Sequence, residues 1–243
     1  MNRRFALFAA PLILAALTAA TPAKRRVQAA PPPPPLADTV RVAIVTGLGT
    51  IELDLDHARA PRTVENFVRY VDLRRFDGMT FYRAMRLDWG ASPNGLVQAG
   101  LRGDPRKLLK PVVHEPTDRT GLRHTAGAVS MARFAPGTAT SDFSILLSDM
   151  PGLDADPAAP DVERKAGYAA FGHVVSGMDV VRKIWDNPLS PTKGEGPLKG
   201  QMLDPPVKVL SVRRVRAPMP AIPSPATPSP ALPAPAAAPT SQH

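Results

Sequence analysis

The sequence predicts a mainly β domain, a barrel or a sandwich, that carries two α-helices. Residues 39–46 alternate apolar and polar side chains, a Gly-Leu-Gly segment interrupts them, and residues 50–55 alternate again. This pattern is typical of a β-hairpin with one solvated face. Other short apolar segments of β-type composition lie downstream, at residues 80–83, 96–98, 129–131, 143–147, 169–175 and 207–212. Many short strands with few helices favour a barrel or sandwich over a parallel α/β sheet.

Two segments change to a helical period. In residues 60–73, apolar side chains recur at i, i+3, i+4 and i+7, at Val64, Phe67, Val68 and Val71. Pro61 lies where the first turn of a helix accepts proline, because an N–H there would have no partner within the helix. A second amphipathic helix is predicted at residues 178–186, just before the helix-ending Asn187-Pro188 pair.

The positive charge of the chain is concentrated at its start. The 243 residues carry a formal net charge of +9. Five cationic residues precede residue 27 and leave +4 for the remainder: Arg3, Arg4, Lys24, Arg25 and Arg26. So small an excess needs no polyanionic partner, and we expect no binding to nucleic acid.

Residues 1–30 are predicted to be an export signal. Arg3 and Arg4 precede an uncharged apolar run at residues 5–17, and small residues follow up to Ala20. The run would span roughly 20 Å as a helix, less than the ~30 Å hydrocarbon core of a bilayer. A retained membrane anchor is the alternative interpretation. We expect cleavage after Ala20 or nearer residue 30, no stable membrane insertion afterwards, and a periplasmic location.

Two proline-rich segments flank the predicted domain. Residues 31–37 begin with an unbroken run of five prolines, typical of a stiff polyproline II linker. Residues 217–243 hold nine prolines and eight alanines and no charged side chain, so we expect this tail to be disordered. The folded domain is therefore predicted at residues 38–216, and we expect it to be a monomer.

Most familiar catalytic and metal-binding patterns are missing. The chain has no cysteine, which excludes disulfides, thiolate metal sites and a cysteine nucleophile. Its five histidines show no metal-ligand spacing, and Ser130 and Ser141 lack the G-x-S-x-G motif of a nucleophile elbow. Asp154 and the acids that follow it lie in a Pro/Ala-rich loop and are interpreted as solvated. We expect neither a metal nor a cofactor.

A series of motifs in a particular order resembles the cyclophilins, the peptidyl-prolyl cis–trans isomerases. The motifs are Pro61-x-Thr63-Val64-x-Asn66-Phe67, Thr80-Phe81-Tyr82-Arg83, Gln98-Ala99-Gly100, residues 127–132 (GAVSMA), Thr140-Ser141-x-Phe143 and, in residues 171–181, Phe-Gly-x-Val-Val-x-Gly-Met-Asp-Val-Val. The resemblance extends from about Val40 to Val212. It implies an eight-stranded antiparallel barrel capped by two α-helices, in agreement with the strands and helices predicted above.

The resemblance also implies site residues and an activity. Arg83 matches the catalytic arginine of the family and Gln98 the glutamine that hydrogen-bonds near it. The substrate-binding positions correspond to Phe81, Leu96, Ala132, Arg133, Phe143, Ser144, Leu153 and Tyr168. The implied activity is rotation of Xaa-Pro bonds in exported polypeptides, which assists their folding, and the implied partners are unfolded or extended chains that contain proline.

Several positions depart from the family pattern. Ser144 replaces a phenylalanine of the pocket floor, Asp142 replaces a glutamine, and Gly95 aligns with a further pocket phenylalanine. Gly152 takes the place of a tryptophan that contacts cyclosporin in many members. Either the pocket is wider, or Trp89 of the insertion at residues 87–94 refills it. The function is accordingly a working isomerase or, alternatively, a binding module with weak or no catalysis.

Overall fold

The computed structural model describes residues 35–102 and 104–215, which form nine β-strands and four α-helices. The predicted signal at residues 1–30, most of the linker at 31–37 and the tail at 217–243 lie outside the described residues. The strands are β1 (Thr39–Thr46), β2 (Gly49–Asp56), β3 (Thr80–Arg86), β4 (Gly95–Gly100), β5 (Ala128–Met131), β6 (Phe143–Leu146), β7 (Ala170–Ser176), β8 (Leu189–Ser190) and β9 (Met202–Arg214). The helices are α1 (Pro61–Asp72), α2 (Thr117–Thr120), α3 (Val162–Ala166) and α4 (Met178–Asp186).

The strands close into a barrel. Their order is β1-β2-β7-β5-β6-β4-β3-β9-β8, and β1 also pairs with β9, so every strand except β8 belongs to the closed circuit. All of the pairs are antiparallel. The predicted eight-stranded antiparallel barrel is therefore confirmed, and β8 is an addition. No helix within the described residues is long and apolar enough to cross a bilayer.

The two predicted helices pack on the barrel. Helix α1 packs against β2 and β9, and α4 against β2, β3 and β4. The apolar face of α1 contributes Phe67, whose ring lies 4.9 Å from that of Phe76 and 5.2 Å from that of Phe143. All three rings are buried. The helical period read from the sequence therefore marks the residues that join the core.

A distant carboxylate caps the start of α1. The residue before the helix, Ala60, has no side chain that could cap it. Instead Glu115 accepts hydrogen bonds from the backbone N–H groups of Arg62 (3.1 Å) and Thr63 (2.8 Å), and from the Thr63 hydroxyl (2.6 Å). A negative charge is favourable at the positive end of a helix dipole. This contact ties the long loop before β5 to α1.

Candidate active site

A cavity of about 690 Å³ opens on the outer face of the barrel. Most of the site residues implied by the sequence line it: Arg83, Leu96, Gln98, Ala132, Arg133, Ser144, Leu153 and Tyr168. They come from β3, β4 and β6 and from the loops near β5 and β7. The barrel thus brings together residues that are as far as 85 positions apart in the sequence.

The floor of the cavity is one row of directly paired residues. Arg83 of β3 is paired with Met202 of β9 on one side and with Gln98 of β4 on the other. Gln98 is paired with Ser144 of β6, and Ser144 with Ser130 of β5. Each of these side chains lines the cavity. Neighbouring strands lie ~4.8 Å apart, so the row extends roughly 19 Å across the barrel wall.

A β-bulge brings Tyr82 and Arg83 to the same face of β3. Phe81 is paired with Ala99 and Arg83 with Gln98, so Tyr82 is an extra residue in the strand. Side chains normally alternate between the two faces of a strand, and an extra residue interrupts that alternation. Tyr82 and Arg83 both line the cavity, whereas Phe81 and Ala84 on either side are completely buried.

Two neutral amides hold the guanidinium of Arg83. Its Nη1 donates to Gln98 Oε1 at 2.8 Å, and its Nε donates to Gln201 Oε1 at 2.8 Å. Burial lowers the pKa of Arg83 from its usual high value, but a guanidinium remains charged in proteins. Because both partners are uncharged, the hydrogen bonds orient the cation without cancelling its charge.

A chain of hydrogen bonds supports Gln98 from behind. Gln98 Nε2 donates to the Tyr82 hydroxyl at 2.6 Å, and this hydroxyl donates to Asp142 Oδ2 at 2.8 Å. Asp142 Oδ1 accepts from the backbone N–H groups of Leu101 and Arg102 and from the Ser141 hydroxyl. Burial and the nearby Asp142 raise the pKa of Tyr82, so its hydroxyl keeps its proton and remains a donor.

The other wall of the cavity is apolar. Leu96 belongs to a small apolar cluster against which Met85 and Leu153 pack, and all three line the cavity. Gly95 does not line the cavity, and a Cβ at its φ of +147° would lie 1.9 Å from the Met85 carbonyl oxygen. Trp89 does not refill the space: 64% of it is exposed and it does not line the cavity. Trp89 therefore does not form part of the wall of this cavity.

The side chain of Arg133, which lines the cavity, is fixed by several contacts. Its side chain is only 1% exposed, and its charged end lies over the ring of Tyr168 at 4.5 Å. It also donates to the Gly167 carbonyl oxygen and forms an ion pair with Glu163 of α3. The side chain therefore fixes Tyr168 against the cavity and connects it to α3.

Phe81 and Phe143 do not reach the cavity, which corrects the expectation that they bind substrate. Both are completely buried, and their rings pack edge to face at 6.4 Å. Phe143 lies between Asp142 and Ser144, both of which face the cavity, so strand alternation directs it to the opposite side. The two rings support the cavity floor from inside the barrel.

Sequence reasoning missed Tyr82 and Gln201 as members of the site. Tyr82 stands in one of the quoted motifs, next to Arg83, and its position there was the available signal. Gln201 is 118 residues from Arg83, and no motif includes it. Within the described residues, no three histidine, aspartate or glutamate side chains converge where they could hold a metal ion.

Comparisons with known proteins agree with this geometry. Residues 41–214 match the family model described as cyclophilin type peptidyl-prolyl cis-trans isomerase/CLD. A peptidyl-prolyl cis-trans isomerase of Acinetobacter baylyi is 35% identical over 182 residues, which cover 73% of this chain and 86% of that protein. Peptidyl-prolyl cis-trans isomerase A of Dickeya dadantii is 35% identical over 187 residues, covering 76% and 85%.

Solved structures share the fold. A cyclophilin type peptidyl-prolyl cis-trans isomerase of Cryptosporidium parvum superposes with a TM-score of 0.56 at 17% identity, over 74% of this chain and 99% of that one. A second structure of that protein, solved in the presence of the dipeptide Ala-Pro, superposes with a TM-score of 0.54 over 73% and 99%. At this level of identity, the likeness concerns the fold alone.

Proposed function

We propose that this chain, which belongs to the cyclophilin-type peptidyl-prolyl cis–trans isomerases, acts on proline-containing segments of exported polypeptides and assists their folding. Isomerase activity follows from the family match over residues 41–214 and from relatives that carry that name at 35% identity. The exported substrates are inferred from the signal predicted at residues 1–30. The Ala-Pro dipeptide present with the Cryptosporidium parvum protein supports a proline-containing ligand.

Prolyl isomerisation is a rotation about one amide bond. Resonance gives the amide bond a rotational barrier of about 18–20 kcal/mol, and an Xaa-Pro bond isomerises unaided in tens of seconds or more. No covalent bond breaks, so the site needs to stabilise only the twisted amide. A donor that reaches the prolyl nitrogen as it loses its conjugation stabilises the transition state more than the ground state.

The observation that carries the proposal is the placement of Arg83. Its guanidinium is oriented by Gln98 and Gln201 and lies in the same cavity as the apolar side chains of Leu96 and Leu153. The apolar wall suits a proline ring, and the oriented donor suits the nitrogen of that ring. Ala132 and Arg133 extend the cavity toward the residues that flank the proline.

The substitution Arg83→Ala tests this assignment. We expect kcat/KM for a Xaa-Pro peptide to fall by roughly 10²–10³, the effect of losing one preorganised donor. Affinity for a ground-state proline peptide changes far less, because the interaction forms mainly in the transition state. Arg69→Ala, on the exposed side of α1, controls for the loss of a positive charge.

The alternative function is that of a binding module for proline-containing chains. The small side chain of Ser144 in the cavity floor, at a position where the resemblance implies a phenylalanine, favours this second candidate. Wild-type activity equal to that of Arg83→Ala on every proline substrate would refute the catalytic role of Arg83. Retained peptide binding in that case would leave the binding module as the function of this cavity.

The proposed location has its own test. N-terminal sequencing of the mature protein from a periplasmic fraction should give a start between residues 21 and 31. Intact Met1 in a membrane pellet that resists an alkaline wash would contradict the proposal. Sedimentation of the mature protein should give the mass of a monomer.

A further inference from the structure

Three polar side chains, of which Ser130 lines the cavity and the other two lie behind it, form a hydrogen-bonded chain that isomerisation does not require. His124 Nε2 lies 2.8 Å from Ser130 Oγ, and His124 Nδ1 lies 2.7 Å from Asp154 Oδ1. The histidine is 1% exposed. The expectation that Asp154 is a solvated loop acid is wrong, because only 12% of its side chain is exposed.

The surroundings of Asp154 determine the tautomer of His124. Asp154 Oδ1 also accepts the backbone N–H of His124 at 3.1 Å, and Oδ2 lies 3.4 Å from Arg123 Nη1, so the carboxylate acts as an acceptor. The Nδ1 of His124 must therefore carry the proton, which leaves Nε2 as an acceptor for the Ser130 hydroxyl. Burial lowers the pKa of His124, which keeps the ring neutral and able to take a proton.

Ser130 faces the cavity because its neighbour is small. Ser130 of β5 is directly paired with Ser144 of β6, and both line the cavity. Side chains at paired positions have Cβ atoms only ~5 Å apart. Ser130 is 3% exposed and Ser144 8%, and this small accessible surface faces the cavity. A large ring at position 144 would cover the Ser130 hydroxyl, whereas Ser144 places a second hydroxyl beside it.

We propose that Ser130 is a nucleophile for acyl transfer from small carboxylic esters, with His124 as its general base and Asp154 as the carboxylate that orients the base. This activity goes beyond the isomerisation assigned to Arg83. The two sites share one cavity but lie three strands apart, roughly 14 Å along the row of paired residues. In a serine hydrolase, the serine oxygen contacts Nε2 of the catalytic histidine and a carboxylate contacts its Nδ1. Ser130, His124 and Asp154 are arranged in the same order.

Hydrolysis of the ester at Ser130 needs water as its only other reactant. Ser130 Oγ attacks the acyl carbon and passes its proton to His124 Nε2, and the Ser144 hydroxyl can donate to the oxygen that becomes negative. The bond between the acyl carbon and the leaving oxygen then breaks, and His124 returns the proton to the leaving alcohol. Water, deprotonated by His124, hydrolyses the acyl-Ser130 ester and regenerates the hydroxyl.

Labelling of the full mature chain with a small alkyl fluorophosphonate tests the proposal. We expect one adduct per chain, located on Ser130 by tandem mass spectrometry and absent from Ser130→Ala. His124→Gln should slow labelling by about 10²–10⁴-fold, the range for losing a general base. Ser141, whose hydroxyl bonds to Asp142 instead of a histidine, is the internal control and should remain unlabelled.

Two further variants separate the hydrogen-bonded relay of Ser130, His124 and Asp154 from a merely structural role. Ser144→Phe leaves all three relay residues in place but covers Ser130, and it should block labelling while the protein stays folded by circular dichroism. Asp154→Asn serves in place of His124→Gln if that variant does not fold. Absence of an adduct from folded wild-type protein would overturn the proposal. Labelling of Ser130 at the wild-type rate in the folded His124 or Asp154 variant, or unimpeded labelling in folded Ser144→Phe, would overturn it as well.

Discussion

The hydroxyl of Tyr82 donates a 2.8 Å hydrogen bond to Asp142 Oδ2, across the gap between β3 and the residue that precedes β6. The same hydroxyl accepts from Gln98, which in turn accepts from Arg83. A carboxylate thus anchors this chain of donors and acceptors. The orientation of Arg83 depends on a residue that never touches it.

Removing that link should weaken catalysis. We expect Tyr82→Phe to lower kcat/KM by about tenfold, because it leaves Gln98 Nε2 and Asp142 Oδ2 without their shared partner, a loss of about 1–2 kcal/mol. A coupled proline-isomerisation assay measures the effect. Tyr70→Phe is the matched control, since the Tyr70 hydroxyl accepts from Leu109 N–H and does not line the cavity. Equal activity of the two variants would show that the Tyr82 link is unnecessary.

Refilling the cavity floor should improve isomerisation. In Ser144→Phe, the new ring enters open space in a cavity of about 690 Å³ that Trp89 leaves free. We expect kcat/KM for small Xaa-Pro peptides to rise by about tenfold, because contact with the proline ring adds on the order of 1 kcal/mol. The free energy of unfolding in urea should hardly change. A loss of ~1–3 kcal/mol would instead reveal a clash with the surrounding side chains.

The response to cyclosporin should depend on Gly152. This residue provides no indole N–H for the drug, and a Cβ built on it meets nothing within 4 Å. We expect wild-type protein to bind cyclosporin weakly and Gly152→Trp to bind it more tightly, because the open surroundings accommodate the ring. Isothermal titration calorimetry measures both constants. A nanomolar dissociation constant for the wild-type protein would contradict the alignment at this position.

Stability should fall as the pH is lowered through the range in which an unfolded histidine titrates. Burial holds the pKa of His124 below its ordinary value of 6.5, so the unfolded chain binds more protons than the folded one below about pH 6.5. The free energy of unfolding is therefore expected to decrease from pH 7 to pH 5. Asp54 and Asp77, whose pKa values are lowered from 3.8 by arginine partners, contribute losses only at lower pH.

Chemical denaturation at several pH values checks this expectation, with His124→Gln as the comparison. The variant should show a flatter dependence between pH 7 and pH 5, whatever its absolute stability. Parallel curves for the two proteins would assign the pH dependence to other groups.

Local patterns predicted the elements, and non-local contacts determined the details of the site. The hairpin and both long helices follow from periodicity, whereas the neighbourhood of Arg83 and Gln98 was implied by the resemblance to the cyclophilins. The burial of Phe81 does not, because strand alternation alone cannot locate the bulge at Tyr82 that separates it from the cavity residues. The contact between Gln201 and Arg83 depends on a register shift in the pairing of β3 with β9. Phe81 is paired with Val207, but Arg83, two residues later, is paired with Met202. A contact between residues so far apart in the chain cannot be predicted from the periodicity of either strand.

The closure of the barrel has a consequence for its synthesis. Strand β1, which begins at Thr39, completes its hydrogen bonding only when β9, which ends at Arg214, is available to pair with it. While the ribosome is still adding residues, the nascent chain can form the β1–β2 hairpin but must leave one edge of β1 open. Contacts between such distant segments form slowly, since the intervening loop must first be closed. Of the strands in the described residues, β9 is thus the one that commits the polypeptide to its final shape, and the barrel can close only after Arg214 has been translated.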